Sequence, residues 1–368
     1  MAFSRAENAP QSRYGRAGFW WCCDDLFHPF YRRSTEHVKF LGGMMLTVGL
    51  DIGYSNLKIV YGDNTEVSPR MIKRPAGAAP LDHLGQRIMG SDDSLHVLVD
   101  GKEFAAAVSH DRIENWPREL HKDYTATESY RALFNAGLLL TEMSEIDCVI
   151  TGLPTNQYLD AELREHLTKI MRGEHQITPR RKVVVHEVKI VPQPLGGFVD
   201  WMHGLNDPSQ IEDSSVLVVD PGFFSVDWVL LVNGEFKRAS SGTSLDATSV
   251  VLDEAAALIA KDHGGNPGRS KLENAVRAER STVSVFGERI EIAPYLADAS
   301  AKVGHIACSQ IQESLRKENS SIDQIVLVGG GAPFFEASLK EAFAKTPINL
   351  AKEAVFANAR GFWRGGAA

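Results

Sequence analysis

Three features are scarce in this 368-residue chain, and each absence narrows what the protein can be. The four cysteines, Cys22, Cys23, Cys148 and Cys308, have neither the spacing of a disulfide framework nor that of a zinc site. No run of about 18 apolar residues occurs, so no membrane span is predicted. The net charge is −8, which argues against a broad basic face for nucleic acid. We therefore expect a protein of the reducing cytoplasm.

The remaining composition is that of a folded globular protein. Apolar residues make up 43% and charged residues 23% of the chain, enough for a sizeable core, and the length allows two domains. Residues 1–44 differ, because they mix Arg, Trp, Cys and His without helical or strand periodicity. We expect them to be a disordered or non-native extension. An arm that docks on a partner or touches a membrane is the alternative.

One local pattern occurs twice. Residues 47–64 read as an apolar strand, an Asp-x-Gly loop that begins at Asp51, a second strand and a polar turn. Residues 216–234 repeat this order around an Asp-x-Gly loop that begins at Asp220. A single Asp-x-Gly is a common turn. Two copies in matched strand contexts indicate a duplicated structural unit with a shared purpose.

An Asp at the end of a buried strand, followed by Gly, suits phosphate binding. Gly53 and Gly222 let the backbone approach a phosphate closely, so that neighbouring amides act as donors. Asp51 and Asp220 are placed to hold waters of a hydrated magnesium ion, which prefers few direct protein ligands. The two hairpins are therefore predicted to grip one polyphosphate from both sides.

Two charged residues on the returning strands are further candidates. Lys58 lies seven residues after Asp51, where its ammonium group could reach phosphate oxygens. A solvated strand lysine is the alternative. Asp227 occupies the matching place in the second copy, and its role stays open because acidic residues also lie on exposed strand faces.

A third glycine loop follows near the C-terminus. Residues 324–328 form an apolar strand that runs into three glycines, and residues 334–344 have helical spacing. Strand, glycines and helix in this order let an adenine or a phosphate lie against bare backbone. The predicted adenosine-binding residues are Gly329, Gly330, Gly331 and Ala332.

Strands alternate with amphipathic helices along the rest of the chain, which predicts an α/β architecture with partly parallel sheets. Asn233-Gly234 is typical of a two-residue hairpin turn. Ile306 is predicted to be on the buried face of a long helix. The predicted helices span residues 127–143, 245–261 and 295–318, and the predicted strands span residues 147–153 and 182–191.

The three loops, in this order, resemble the phosphate-1, phosphate-2 and adenosine motifs of the actin, heat-shock chaperone and sugar kinase superfamily. The resemblance covers about residues 45–365. Within the superfamily the chain is most similar to the bacterial actin-like proteins of plasmid segregation, the ParM/StbA type, including PRTRC system protein D. Residues 152–158, 220–228 and 357–362 carry this closer likeness.

The resemblance implies an actin-like, ribonuclease H-like fold of two duplicated lobes, with a nucleotide in the cleft between them. Lobe I would comprise residues 45–207 and 348–368, with the phosphate-1 hairpin. Lobe II would comprise residues 208–347, with the phosphate-2 hairpin and the adenosine motif.

The resemblance also implies an ATPase whose monomers assemble into filaments, with hydrolysis limiting filament lifetime. DNA would be moved through an adaptor protein. The cofactors would be ATP and Mg²⁺, with GTP left open. Asp51 and Asp220 would hold hydrated magnesium, and Asp220 would also belong to the catalytic set. The phosphates would be contacted by Ser55, Asn56 and Lys58.

Two points concern hydrolysis. Gln193 falls where the family places its water-positioning Gln or Glu, and it would orient the attacking water rather than act as a base. An exposed residue between two prolines is the alternative. The second loop departs from the family pattern, since Phe223 and Phe224 leave Ser225 as its nearest hydroxyl. We therefore expect a looser grip on the phosphates.

Two other functions stay open. A small-molecule kinase of the same superfamily would need an Asp base beside an acceptor pocket, and no compelling candidate is found. A nucleotide-binding scaffold with little turnover would fit the two phenylalanines of the second loop.

Overall fold

The computed structural model describes residues 45–63, 68–88, 92–121, 123–318 and 321–366. The predicted extension, residues 1–44, lies outside these ranges, and so do Cys22 and Cys23. Cys148 and Cys308 are buried, free thiols. Of the helices in the described ranges, none combines the length and the apolar character that crossing a bilayer requires.

Strands and helices alternate along the chain. Up to residue 203 they are β1 (Leu46–Ile52), β2 (Asn56–Asp63), β3 (Arg70–Pro75), β4 (Gly77–Pro80), β5 (Leu95–Val99), β6 (Lys102–Val108), α1 (Glu128–Thr141), β7 (Glu145–Leu153), α2 (Thr155–Tyr158), α3 (Ala161–Met171), β8 (Gly173–Thr178), β9 (Arg181–Pro192) and α4 (Gln193–His203). From residue 215 they are β10 (Ser215–Pro221), β11 (Val226–Val232), β12 (Glu235–Phe236), β13 (Gly242–Ser244), α5 (Thr248–His263), α6 (Arg269–Arg277), β14 (Thr282–Val285), β15 (Glu288–Glu291), α7 (Ala293–Leu315), β16 (Gln324–Leu327), α8 (Ala332–Ala342), β17 (Ile348–Leu350) and α9 (Ala357–Gly365).

The two main sheets repeat one arrangement. The first has the strand order β3-β2-β1-β7-β9-β8, and the second has the order β12-β11-β10-β16-β17, with β13 beside β11. In the first, β1 pairs antiparallel with β2 and parallel with β7. In the second, β10 pairs antiparallel with β11 and parallel with β16. The predicted α/β class and the predicted duplication into two lobes are confirmed.

The central strand of each main sheet lies in an apolar core. The inner residues of β1 are buried, and every residue of β10 is buried, because helices cover these strands.

The Asn233-Gly234 turn joins β11 to β12, and both residues have positive φ, 54° and 75°. This is the left-handed geometry that the two-residue hairpin signal predicts.

The C-terminal helix α9 returns to the first sheet, where it lies against β1, β2 and α4. Backbones approach closely at this packing. A Cβ atom on Gly361 of α9 would lie 1.7 Å from the carbonyl oxygen of Gly196 in α4. Arg360 adds a buried ion pair, because its Nη2 and Nε donate to the two carboxylate oxygens of Asp200 at 2.6 and 2.7 Å. The boundaries of the two lobes stay a prediction.

Replacing Gly361 with Ala should therefore destabilise the protein. The added methyl group meets backbone, which cannot rotate away, so α4 and α9 must separate at a cost of about 1–3 kcal/mol. A lower urea midpoint for G361A measures this effect. Gly204→Ala, at the end of α4, is the matched control, because the nearest atom to its added Cβ lies 3.3 Å away. Equal midpoints for the two variants would contradict the close packing.

Helix positions differ from the sequence predictions in two respects. The helices predicted for residues 334–344 and 245–261 occur at 332–342 and 248–263, and the first begins earlier because a proline is tolerated in the first turn. The prediction that Ile306 is buried is wrong, since it is 41% exposed. The buried stripe of α7 runs through Ala299, Val303 and Ala307, and Ile306 lies at its edge.

Candidate functional site

The two Asp-x-Gly loops face a common cleft of about 250 Å³. Each loop is a tight turn closed by one backbone hydrogen bond. Gly53 N donates to Asn56 O at 3.1 Å, and Gly222 N donates to Ser225 O at 2.7 Å. A Cβ atom on Gly222 would lie 2.9 Å from that same oxygen, so the second turn needs glycine. Identical bonding in the two loops shows that the duplication extends to the site.

Asp51 lies at the floor of the first loop and is 3% exposed. Lys58 is its direct cross-strand partner, and Lys58 Nζ donates to Asp51 Oδ2 at 2.8 Å. Gln193 Nε2 donates to the other carboxylate oxygen at 3.2 Å. Gln193 is half-buried and begins α4. The predicted metal ligand, phosphate lysine and water-positioning residue therefore form one hydrogen-bonded group.

Asp220 is the counterpart in the second loop and is 2% exposed. Asn358 Nδ2, from α9, donates to its Oδ2 at 2.7 Å. Burial, and next the negative charges of Asp51 and Asp227, raise the pKa of Asp220 to about 7. Asp220 lines the cleft, and so do Lys58 and Gln193, the two residues that donate hydrogen bonds to Asp51.

Asp227 pairs with Asp220 in the register that joins Asp51 to Lys58. It is buried rather than on an exposed strand face. Its carboxylate accepts hydrogen bonds from Ser225 Oγ at 2.6 Å, Thr243 Oγ1 at 2.5 Å and Thr155 N at 2.8 Å. Burial raises its pKa. Where the first hairpin carries a cation, the second carries an acid held by neutral donors.

The third glycine loop has an open and a crowded side. A Cβ atom on Gly330 would have its nearest neighbour, Val355 Cγ2, 3.5 Å away, so this backbone is open to the cleft. A Cβ atom on Gly331 would lie 2.4 Å from Thr248 Oγ1, so this glycine is on the crowded side. Gly329 has φ +82°, and its added Cβ would lie 2.0 Å from Asp220 Oδ1. The loop thus presents bare backbone to the cleft while it packs on Asp220.

Most of the predicted site residues line the cleft, namely Gly53, Ser55, Asn56, Lys58, Gln193, Asp220, Gly222, Ser225, Gly330 and Gly331. Three do not. Asp51 lies behind Lys58 and Gln193, Gly329 lies against Asp220, and Ala332 is buried at the start of α8.

Aromatic rings occupy the space beside the two loops. Tyr54 stacks on Tyr124, with ring centroids 4.5 Å apart, and its other neighbour is Phe224 at 4.6 Å. Phe223 is buried beneath the guanidinium group of Arg118, whose Cζ lies 4.2 Å from the ring centroid. Phe224 therefore contacts the opposite loop. How tightly the second loop would hold phosphates stays a prediction.

Four charged residues of the cleft were missed from the sequence: Lys73, Glu273, Arg277 and Glu279. Lys73 faces Lys58 across β2 and β3, so one row of directly opposed residues runs Asp51, Lys58, Lys73. That register could have been found from the strand pattern. No local signal marks Glu273 or Arg277, because they contact Ser55 from more than 200 positions along the chain.

The donor set fits a magnesium polyphosphate. Two buried polar atoms beside the first loop, Asn56 Oδ1 and Arg277 Nε, have no hydrogen-bond partner. Within the described ranges, no group of three or more His, Cys, Asp or Glu side chains is arranged to hold a metal by itself. A magnesium ion here would thus rely on water and on phosphate oxygens, with Asp51 and Asp220 as outer acceptors.

Comparisons with known proteins agree with this geometry. Residues 49–196 match the family model of the actin like proteins N terminal domain, and residues 218–341 match that of the archaeal actin homologue MreB-like, C-terminal. No curated protein sequence matches the chain.

Solved structures show the same fold at low identity. Ta0583, an archaeal actin homolog, superposes with a TM-score of 0.68 at 18% identity, over 86% of this chain and 98% of that one. Its complex with ADP gives a TM-score of 0.66 at 17% identity, over 86% and 98%. A 15-stranded ParM filament from Clostridium botulinum gives 0.67 at 17% identity, over 88% and 99%. With one actin-type domain model matched in each half and the duplicated sheets described above, the chain belongs to the actin-like proteins.

Proposed function

We propose that this chain is a cytoplasmic ATPase that binds Mg-ATP between its lobes and polymerises into filaments that position DNA through an adaptor protein. The observation that carries the proposal is the pair of carboxylates, Asp51 and Asp220, at matched positions of duplicated hairpins beside one cleft. Filament formation is supported by the likeness to a ParM filament. GTP is the alternative nucleotide.

In this proposal each group has a separate task. Asp51 and Asp220 would hold the waters of a bound magnesium ion, which would offset negative charge on the phosphates. Lys58 and the loop residues Ser55 and Asn56 contact the phosphates, and the open backbone at Gly330 accepts the adenosine. Gln193, anchored on Asp51, orients the attacking water.

A Gln193→Ala variant tests the ATPase. We expect phosphate release to fall by about a hundredfold, at the low end for a positioned catalytic group, while calorimetric ATP affinity changes little. Wild-type protein should scatter light and form filaments in electron micrographs after Mg-ATP is added, and Q193A filaments should persist longer. Monomers alone across micromolar concentrations, with ATP and with GTP, would reject the polymerisation proposal.

The aromatic contact favours one second candidate, a nucleotide-binding scaffold with negligible turnover. Tyr54 and Phe224 fill space beside the loops where phosphates would lie. Phosphate release that is absent in wild-type protein despite tight Mg-ATP binding would support the scaffold. Release that is present and lost in an Asp220→Ala variant would exclude it.

A further inference from the structure

Glu273 of α6 holds together groups from both lobes at the mouth of the cleft. Its Oε1 accepts hydrogen bonds from Ser55 Oγ at 2.6 Å and from Arg277 Nη2 at 2.7 Å. Its Oε2 accepts one from Arg118 Nη1 at 2.6 Å. Ser55 and Arg118 belong to the chain before α1, whereas Glu273 and Arg277 lie on α6. The side chain of Glu273 is only 8% exposed. One buried carboxylate thus ties the two lobes.

The same donors are those that a phosphate would use. Ser55 is a predicted phosphate contact, and Arg277 Nη2 lies 3.1 Å from its hydroxyl oxygen. Both line the cleft. Arg118 Nε and Arg277 Nε are buried without a hydrogen-bond partner, so donor capacity is left over. A phosphate group offers more acceptor oxygens than a carboxylate and pairs well with guanidinium groups.

Charge and volume point the same way. Two guanidinium groups, Arg118 and Arg277, share the single carboxylate of Glu273. These three side chains together therefore carry a net positive charge. The cleft volume, about 250 Å³, is below the roughly 300–1,000 Å³ of typical ligand pockets. The Ser55–Glu273 hydrogen bond joins the two sides of this small cleft, so any separation of the lobes on nucleotide binding would break it.

We propose that Glu273 is a displaceable occupant of the phosphate site: a polyphosphate replaces it as the partner of Ser55 and Arg277, and this exchange breaks the Ser55–Glu273 hydrogen bond between the lobes. Arg277 then becomes a phosphate-binding residue. The inference rests on the proposed nucleotide-binding function and adds that the chain carries its own competitor for the phosphates.

Glu273→Gln tests the exchange, because it removes the charge and keeps the shape. Calorimetry with Mg-ATP should show about tenfold tighter binding, the factor that corresponds to 1.4 kcal/mol. Adenosine, which has no phosphates to take the place of the carboxylate, should gain clearly less affinity than Mg-ATP. In the ligand-free variant, amide hydrogen exchange at residues 53–56 and 222–225 should accelerate, since the lobes are no longer tied. Glu254→Gln removes an equal charge from an exposed pair with Lys302 and should change none of these values.

Glu273→Asp is the second variant, because it keeps the charge but withdraws the carboxylate from Ser55. Like E273Q, it should bind Mg-ATP more tightly and show faster amide hydrogen exchange in the two loops. Weaker binding of both ATP and adenosine to E273Q would overturn the proposal, because Glu273 would then be a ligand contact itself. So would tighter ATP binding without faster exchange, which indicates a general charge effect. Absence of ATP binding in every protein, wild type included, would instead reject the proposed function.

Discussion

Removing the carboxylate of Asp51 should destabilise the ligand-free protein by about 3–5 kcal/mol, the usual cost of leaving one member of a buried ion pair alone. Asp51 and Lys58 side chains are 3% and 11% exposed, and their charged atoms are 2.8 Å apart. In an Asp51→Ala variant the ammonium group of Lys58 stays in the interior without a counter-ion. A large drop in the urea midpoint without nucleotide measures this cost.

A second substitution separates charge from packing. In the double variant D51N/K58M neither charge remains, so most of the lost stability should return, since replacing a buried pair by neutral groups is often nearly neutral. Glu174→Gln breaks the pair with Lys182 on β8 and β9, where both side chains are more than half exposed, and should cost less than about 1 kcal/mol. Double and single variants of equal stability would contradict the ion-pair explanation.

Function should not return with stability. Mg-ATP binding, measured by calorimetry, should be weakened in D51A, which lacks the proposed acceptor for metal-bound water. It should remain weak in D51N/K58M, which also lacks the proposed phosphate lysine. Tight binding by the stable double variant would show that the first hairpin is structural only. This comparison distinguishes a metal-holding Asp51 from one that serves only to neutralise Lys58.

The sequence predicts the parts of the site that local chain geometry determines. Each Asp-x-Gly corner is a strand end, a tight turn and a returning strand that follow one another directly in the chain. Asp51, Asp220 and Lys58 can therefore be proposed as site residues from spacing alone. The strand register across β2 and β3 determines the position of Lys73 nearly as locally. These elements need no knowledge of how the lobes meet.

Contacts between distant segments could not be predicted in this way. Ser55 meets Glu273, and Asp220 meets Asn358, only because two lobes and a returning helix α9 come together. Tertiary packing also decides which side of a helix is covered, which is why Ile306 is exposed at the edge of an apolar stripe. Phe224 likewise shows its contact with Tyr54 only in the folded chain.

Asp220 should make the ligand-free protein lose stability as the pH rises from about 4 to about 7. Its pKa is raised from 3.8 to about 7, first by burial and then by Asp51 and Asp227. Between these values the folded state holds a proton that the unfolded state has released, so unfolding becomes easier with each step in pH. The full difference between the two pKa values corresponds to a loss of roughly 4 kcal/mol in the free energy of unfolding, at about 1.4 kcal/mol for each pKa unit.

An Asp220→Asn variant removes this titration and keeps a side chain that can accept the hydrogen bond from Asn358. Its stability advantage over wild type, measured by urea unfolding with a chelator present, should grow from near zero at pH 4 to several kcal/mol at pH 8. Asp253→Asn, which removes a carboxylate from the exposed side of α5 in the same lobe, is the control and should show no such growth. A constant difference between D220N and wild type across this range would mean that Asp220 is already ionised at acidic pH. Ionised Asp220 would then cost the folded protein little. A magnesium ion would therefore gain little binding energy by compensating the negative charge of Asp220.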